Sequence, residues 1–289
     1  MTEATTLAAV LALSASFVFG VSNHVQHVAL DHMDVRAGTL VNVGTTALIL
    51  WLLSPFFLVP ETLLSPSAGW FAMAGLIVPS LSMTLHTMSI RTIGPGLTSG
   101  LASTSPFFAI AIAVGVFGEV VTGQALVGTA IVVLGIAFIA LRARSLDVDW
   151  SIVAMMLPLA AALTRALAQN VIKFGMNDLP SPLTAALVGA TSSLLVLLVA
   201  HVGSGRRLPR WGPGYGWFGL CGIMNGLGIV GSYVALDLSG VVVVSPLISC
   251  SPAFTLLTGW LFFRRETVQW ANVWAIFFIF CGCLLIVLR

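Results

Sequence analysis

Apolar residues run almost unbroken through this sequence, interrupted only by short polar links. A helix needs about 20 consecutive apolar residues to cross the hydrocarbon core of a bilayer. Runs of that length fall at 6–29, 37–58, 68–90, 96–117 and 122–141. After a charged link at 142–149, five more follow at 151–176, 183–201, 214–236, 241–263 and 268–288. The ten runs predict an all-α membrane protein of ten transmembrane helices. Only 8% of the residues are charged, against roughly 25% in a soluble domain, so lipid must be the solvent for most of the chain. The connections leave no room for a soluble domain, and the working parts must lie within the membrane. Residues 1–8 carry Glu3 but no Lys or Arg. They lack the basic start of a cleaved signal peptide, so the first run is expected to persist as a helix.

The chain repeats itself. A shift of 147 positions pairs Asn23 with Asn170, Asp31 with Asp178, Gly69-Trp70-Phe71 with Gly216-Trp217-Phe218, Gly75 with Gly222, and Glu119 with Glu266. A slip of one residue pairs Ser105-Pro106 with Ser251-Pro252. Polar and tryptophan matches at one offset are hard to obtain by chance in so small an alphabet. Two units are expected, residues 1–145 and 148–289. Each holds five spans, an odd number, so the second unit should enter the membrane inverted. Inverted repeats around a central cavity are the architecture of many secondary transporters, because exchanging the conformations of two equivalent halves exchanges the side on which the site opens.

The ends of the two halves resemble EamA-type carriers of the drug/metabolite transporter superfamily. The first half carries Ser105-Pro106-Phe107-Phe108, then Gly118-Glu119 and Gly128; the second carries Ser251-Pro252-Ala253-Phe254, then Glu266 and Gly282. Arg264-Arg265-Glu266 departs from the pattern, since no glycine precedes this glutamate. The resemblance implies two five-helix repeats, a central cavity, and export or exchange of a small metabolite. It does not name the substrate, because the superfamily carries amino acids, sugars, nucleotide sugars and drugs.

Ionisable groups within spans are the best pointers to a site, because charge in lipid is costly. Arg165 lies near the middle of the sixth span, and Arg165, Gln169 and Lys173 follow at i, i+4 and i+8 as a polar stripe. Two cations there suit a carboxylate or phosphate, the guanidinium offering a forked pair of donors; internal pairing of Arg165 is the competing role. Span one carries Ser22, Asn23, His24, Gln26 and His27, too polar a cluster to face lipid. His24 and His27 are candidates for proton coupling, against a simpler role as hydrogen-bonded packing residues. Asn42, His86, Asn225 and Tyr233 are further polar candidates, and His86 and Tyr233 are equivalent under the shift. The expected substrate-binding set is Arg165, Gln169, Lys173, Asn23, Gln26, His86, Asn225 and Tyr233. Glu119 and Glu266 are expected to cap the turns before the fifth and tenth helices, and Gly222-x-x-x-Gly226 to allow close helix approach.

No metalloprotease, nucleophile-elbow or nucleotide-binding motif occurs in the sequence, and the four cysteines sit in apolar runs without metal-type neighbours. Neither cofactor, metal nor catalysis is expected, and a net charge of +2 gives no reason to expect nucleic acid. The expected partners are a small-molecule substrate, the lipid bilayer, and a proton or counter-substrate. The expected function is a secondary carrier, an exporter, of a small anionic or zwitterionic metabolite such as an amino acid, multi-pass in the plasma membrane. The alternative is a receptor or scaffold that reuses the duplicated fold. Nine arginines, among them Arg36, Arg91, Arg142 and Arg210, follow odd-numbered spans, whereas only Lys173 and Arg289 lie at the opposite ends. That bias puts both termini outside the cytoplasm; the resemblance implies the reverse.

Overall fold

A computed structural model describes residues 3–78, 80–102, 104–116, 118, 122–143, 152–205 and 209–263, and positions 274, 277, 278, 281, 282 and 285. All regular structure within them is helical. The helices are α1 (Glu3–Ala29), α2 (Val35–Leu53), α3 (Pro66–Ile77), α4 (Ser80–Ala102), α5 (Ser105–Gly115), α6 (Gly123–Ala143), α7 (Ile152–Asp178), α8 (Pro182–Gly203), α9 (Pro213–Leu238), α10 (Val241–Ile248) and α11 (Ser251–Thr258). Seven helical stretches are long and apolar enough to cross a membrane. One of these, Pro66–Gly115, is 50 residues long and is divided at Gly94, where φ is 79° and ψ 167°. A β-carbon resists that left-handed region, and the following Pro95 cannot supply the N–H that would continue the helix. Ser89 and Thr98 hydroxyls meet across the turn at 2.8 Å. Gly118 also has positive φ, 68°, which glycine adopts without the penalty of a β-carbon. Glu119, Glu266 and nearly all of the last apolar run lie outside the described residues.

Lipid tails are as apolar as leucine, so burial of apolar area does not drive these helices together. Close backbone approach and interhelical hydrogen bonds do. Both occur here in matched pairs across the halves. The Thr46 hydroxyl of α2 donates to Gly222 O of α9 at 2.7 Å. Its equivalent under the 147-residue shift, Ser193 of α8, donates to Gly75 O of α3. A β-carbon at Gly222 would sit 2.5 Å from Asn42 O, and one at Gly75 would sit 2.7 Å from the Cα of Gly189, the residue equivalent to Asn42. Asn23 reaches from α1 to Thr255 of α11 at 3.2 Å, while Asn170 reaches from α7 to Ala109 O of α5 at 3.1 Å. Each of these contacts thus has a counterpart at or next to the positions 147 residues away.

Two spans are broken beside the bundle centre. Val78, between α3 and α4, has extended backbone at φ −134° and ψ 130°. Ser249 and Cys250 separate α10 from α11. Backbone groups freed in a bilayer must find partners within the protein. Ser193 answers the first break, accepting from Ser80 N at 3.3 Å while it donates to Gly75 O. Ser16 answers the second, donating to Ile248 O at 3.0 Å.

Candidate functional site

The breaks face a central cavity of about 110 Å³. Five segments wall it, and three long helices contribute stripes at i, i+4 and i+7: Phe19, Asn23 and Gln26 from α1; Arg165, Gln169 and Ile172 from α7; Asn225, Ile229 and Ser232 from α9. Val78 and α4, with Ser82, Met83 and His86, form the fourth wall, and Ile248 and Ser251 close the fifth. Each stripe is the face that helical geometry turns to one side, so the polar residues of these spans are kept from lipid.

Seven of the eight expected substrate-binding residues line this cavity: Arg165, Gln169, Asn23, Gln26, His86, Asn225 and Tyr233. Hydrogen bonds hold most of them in place. Ser22 Oγ donates to Asn225 Oδ1 at 3.2 Å, and Asn225 Nδ2 donates to Asn42 Oδ1 at 3.2 Å, tying α1, α9 and α2 behind the wall. Asn42 therefore supports the site from its second row. His86 Nε2 lies 3.0 Å from Asn23 Oδ1; an amide oxygen only accepts, so the proton sits on Nε2. Gln26 Nε2 donates to Thr87 Oγ1 at 2.6 Å.

Two acceptor atoms at the cavity, His86 Nδ1 and Gln169 Oε1, are buried without a protein partner. Orphaned buried polar atoms are rare, and each calls for a water or a ligand. Arg165 lines the same space with no carboxylate paired to it among the described residues. The cavity thus offers one cation, orphaned acceptors, the Tyr233 hydroxyl, and an apolar wall of Phe19, Val78, Ile172, Ile229 and Ile248, while the Ser82 and Ser232 hydroxyls donate to Ala161 O and Gly228 O. That arrangement can grip one negative charge on a small body and hold an apolar part beside it.

Lys173 is the exception among the expected binding residues. Its Nζ donates to Leu236 O at 2.8 Å, one of the last carbonyls of α9, which lack partners within their own helix. The i+8 spacing from Arg165 explains the miss: eight residues advance about 12 Å along the axis and rotate the side chain about 80° away. Its cation serves the C-terminal end of a helix dipole instead. Lys173→Met is expected to lower thermal stability by about 1.5–3 kcal/mol, the range for a hydrogen bond to a charged group, and to leave the KM of substrate flux unchanged. A KM shift as large as that of an Arg165 variant would return Lys173 to the site.

His24 and His27 also lie outside the cavity lining. His24 Nε2 meets Thr255 O at 2.7 Å, and a carbonyl only accepts, so His24 donates there and fastens α1 to α11. His27 is half-buried one turn on. Neither borders the cavity, and the imidazole that does is His86.

The whole chain bears likenesses to known proteins. The model of the EamA-like transporter family matches residues 6–141 and, a second time, residues 152–288. No curated protein matches the chain. A crystal structure of another protein superposes with a TM-score of 0.77 at 12% identity, covering 99% of this chain and 96% of that one. At that identity the likeness speaks for the fold alone.

Proposed function

The chain belongs to the EamA-like transporter family, and from that premise we propose that it is a secondary active carrier, an exporter in the plasma membrane, of a small anionic or zwitterionic metabolite such as an amino acid. The observation that carries this reading is Arg165, a guanidinium in a central intramembrane cavity with no carboxylate partner among the described residues. A buried cation left unpaired is expensive, and a substrate anion is the natural counter-charge. One cation favours one negative charge over two. The sequence contains no nucleotide-binding motif, and the drive left to it is an ion gradient, exchange against a counter-substrate, or the substrate's own gradient.

The mechanism needs ten spans in two inverted halves, residues 1–145 and 148–289. Support comes from α2 and α8, which are equivalent under the shift. Trp51 Nε1 bonds Thr191 Oγ1 at 3.0 Å, and the start of α2 shares a groove with the end of α8. These contacts set α2 and α8 antiparallel, which supports the reading of inverted halves. Splitting 66–115 at Gly94 and counting α6 and the last apolar run brings the seven long apolar stretches to ten. The alternation that follows from inversion is a swap of the reciprocal contacts between halves.

Proteoliposome flux with amino acids, organic acids and sugar phosphates tests the substrate class. Saturable flux of a singly charged or zwitterionic compound is expected. Flux confined to neutral or cationic compounds would remove the role given to Arg165. The arginine bias further predicts that a reporter fused after Arg289 is non-cytoplasmic; a cytoplasmic signal there would show that the charges do not set the orientation.

A further inference from the structure

A second cavity lies away from the centre, between α2, α4 and α8, with a volume of about 420 Å³. We propose that it binds the phosphate of an anionic glycerophospholipid, with the acyl chain lying along the groove. Arg36 and His201 both line it, and Leu197 and Ala200 add apolar surface. The two hydroxyls that line it are already committed as donors: Thr84 Oγ1 to Ser80 O at 2.7 Å, and Ser204 Oγ to His201 O at 2.7 Å. Arg36 and His201 are therefore the side chains left to meet an anion. A guanidinium at a groove of this kind takes phosphate oxygens in a forked pair, and basic pockets between spans hold lipid headgroups.

One acid, Asp34, also lines the groove. Its Oδ2 accepts from Arg36 N at 3.2 Å and Ala37 N at 3.5 Å, so that its charge is spent on the N-terminus of α2. It weakens the site without closing it.

The duplication supplies an internal control. Under the 147-residue shift Arg36 corresponds to Leu183, His201 to Ser54, Asp34 to Ser181 and Ser204 to Phe57. The equivalent positions in the other half carry no cation, so the basic groove is not a by-product of the repeated fold. It lies at the arginine-rich end, where the sequence after α8 carries Arg206, Arg207 and Arg210. That is the end the charge bias assigns to the cytoplasmic leaflet, where anionic lipid gathers.

Native mass spectrometry of the full chain, titrated with phosphatidylglycerol, phosphatidylcholine or inorganic phosphate, tests the proposal. Phosphatidylglycerol is expected to bind more tightly than phosphatidylcholine, to resist displacement by millimolar inorganic phosphate, and to weaken about tenfold or more, at least 1.4 kcal/mol, in Arg36→Gln/His201→Gln. Asp34→Asn keeps a capping side chain while removing the opposing charge, so it should tighten phosphatidylglycerol and carries the test if the double variant does not fold. Equal binding of the two lipids, an unchanged double variant, or no tightening in Asp34→Asn would overturn the proposal. Displacement by inorganic phosphate would overturn the lipid in favour of a soluble phosphate.

Discussion

Arg165→Ala is expected to lower substrate affinity about ten- to a hundredfold while leaving the fold intact. The affinity loss follows from removing a charge-assisted contact worth roughly 1.5–3 kcal/mol. The intact fold follows from the surroundings. Removing one member of a buried ion pair usually costs 3–5 kcal/mol, because the partner is left stranded. Arg165 has no acidic partner among the described residues, so alanine strands nothing and also removes a desolvation penalty. Arg165→Lys keeps the charge but loses the planar fork, and should fall between wild type and alanine in affinity. Flux and melting temperature, measured together on the three proteins, check this. Lost flux with collapsed stability would make Arg165 a structural cation; unchanged flux would remove it from the site.

The second large effect concerns helix approach. Gly75→Ala and Gly222→Ala place a β-carbon within 2.7 Å of Gly189 Cα and 2.5 Å of Asn42 O respectively. Neither neighbour is a flexible side-chain end, so the helices must part, and the Ser193 and Thr46 bonds to these same glycine carbonyls are lost with them. Overpacking of this kind costs about 1–3 kcal/mol. Two other glycines provide the contrast. Gly69 and Gly216, also equivalent under the shift, have nothing within 4 Å of a built β-carbon. Alanine there should be neutral or stabilising by roughly 0.5–1 kcal/mol, the usual gain within a helix. Thermal unfolding in detergent of the four single variants checks the contrast. Similar melting temperatures for all four would contradict the reciprocal contacts described between the halves.

The sequence made the charged and amide-bearing part of the cavity readable because such residues cannot face lipid. Arg165, Asn23 and Asn225 had to turn inward, and the helices place them accordingly. Lys173 misled because a stripe read at i, i+4 and i+8 ignores how far the third member climbs. His24 shows the ambiguity of an imidazole between helices, which is as well placed to fasten a carbonyl as to carry a proton. Ser82 and Ser232 gave no signal, since a hydroxyl can bond a carbonyl of its own helix and sit in any environment; Ser232 does so to Gly228 O at 2.6 Å. Phe19, Ile172 and Ile229 gave none either, because an apolar residue reads the same whether it faces lipid or substrate. The break at Val78 did have a signal, the proline that follows it at position 79, which cannot continue a helix.

The most direct test of a carrier is whether one cavity residue can be reached from both sides of the membrane. Ser232, 5% exposed and part of the cavity wall, is suited to it as Ser232→Cys in a background with the 4 native cysteines replaced by serine. Alternating access predicts that an impermeant maleimide labels this thiol from either face, and that the transported anion protects it from both. Labelling from neither face of the folded protein, or from one face only under every condition, would contradict the account.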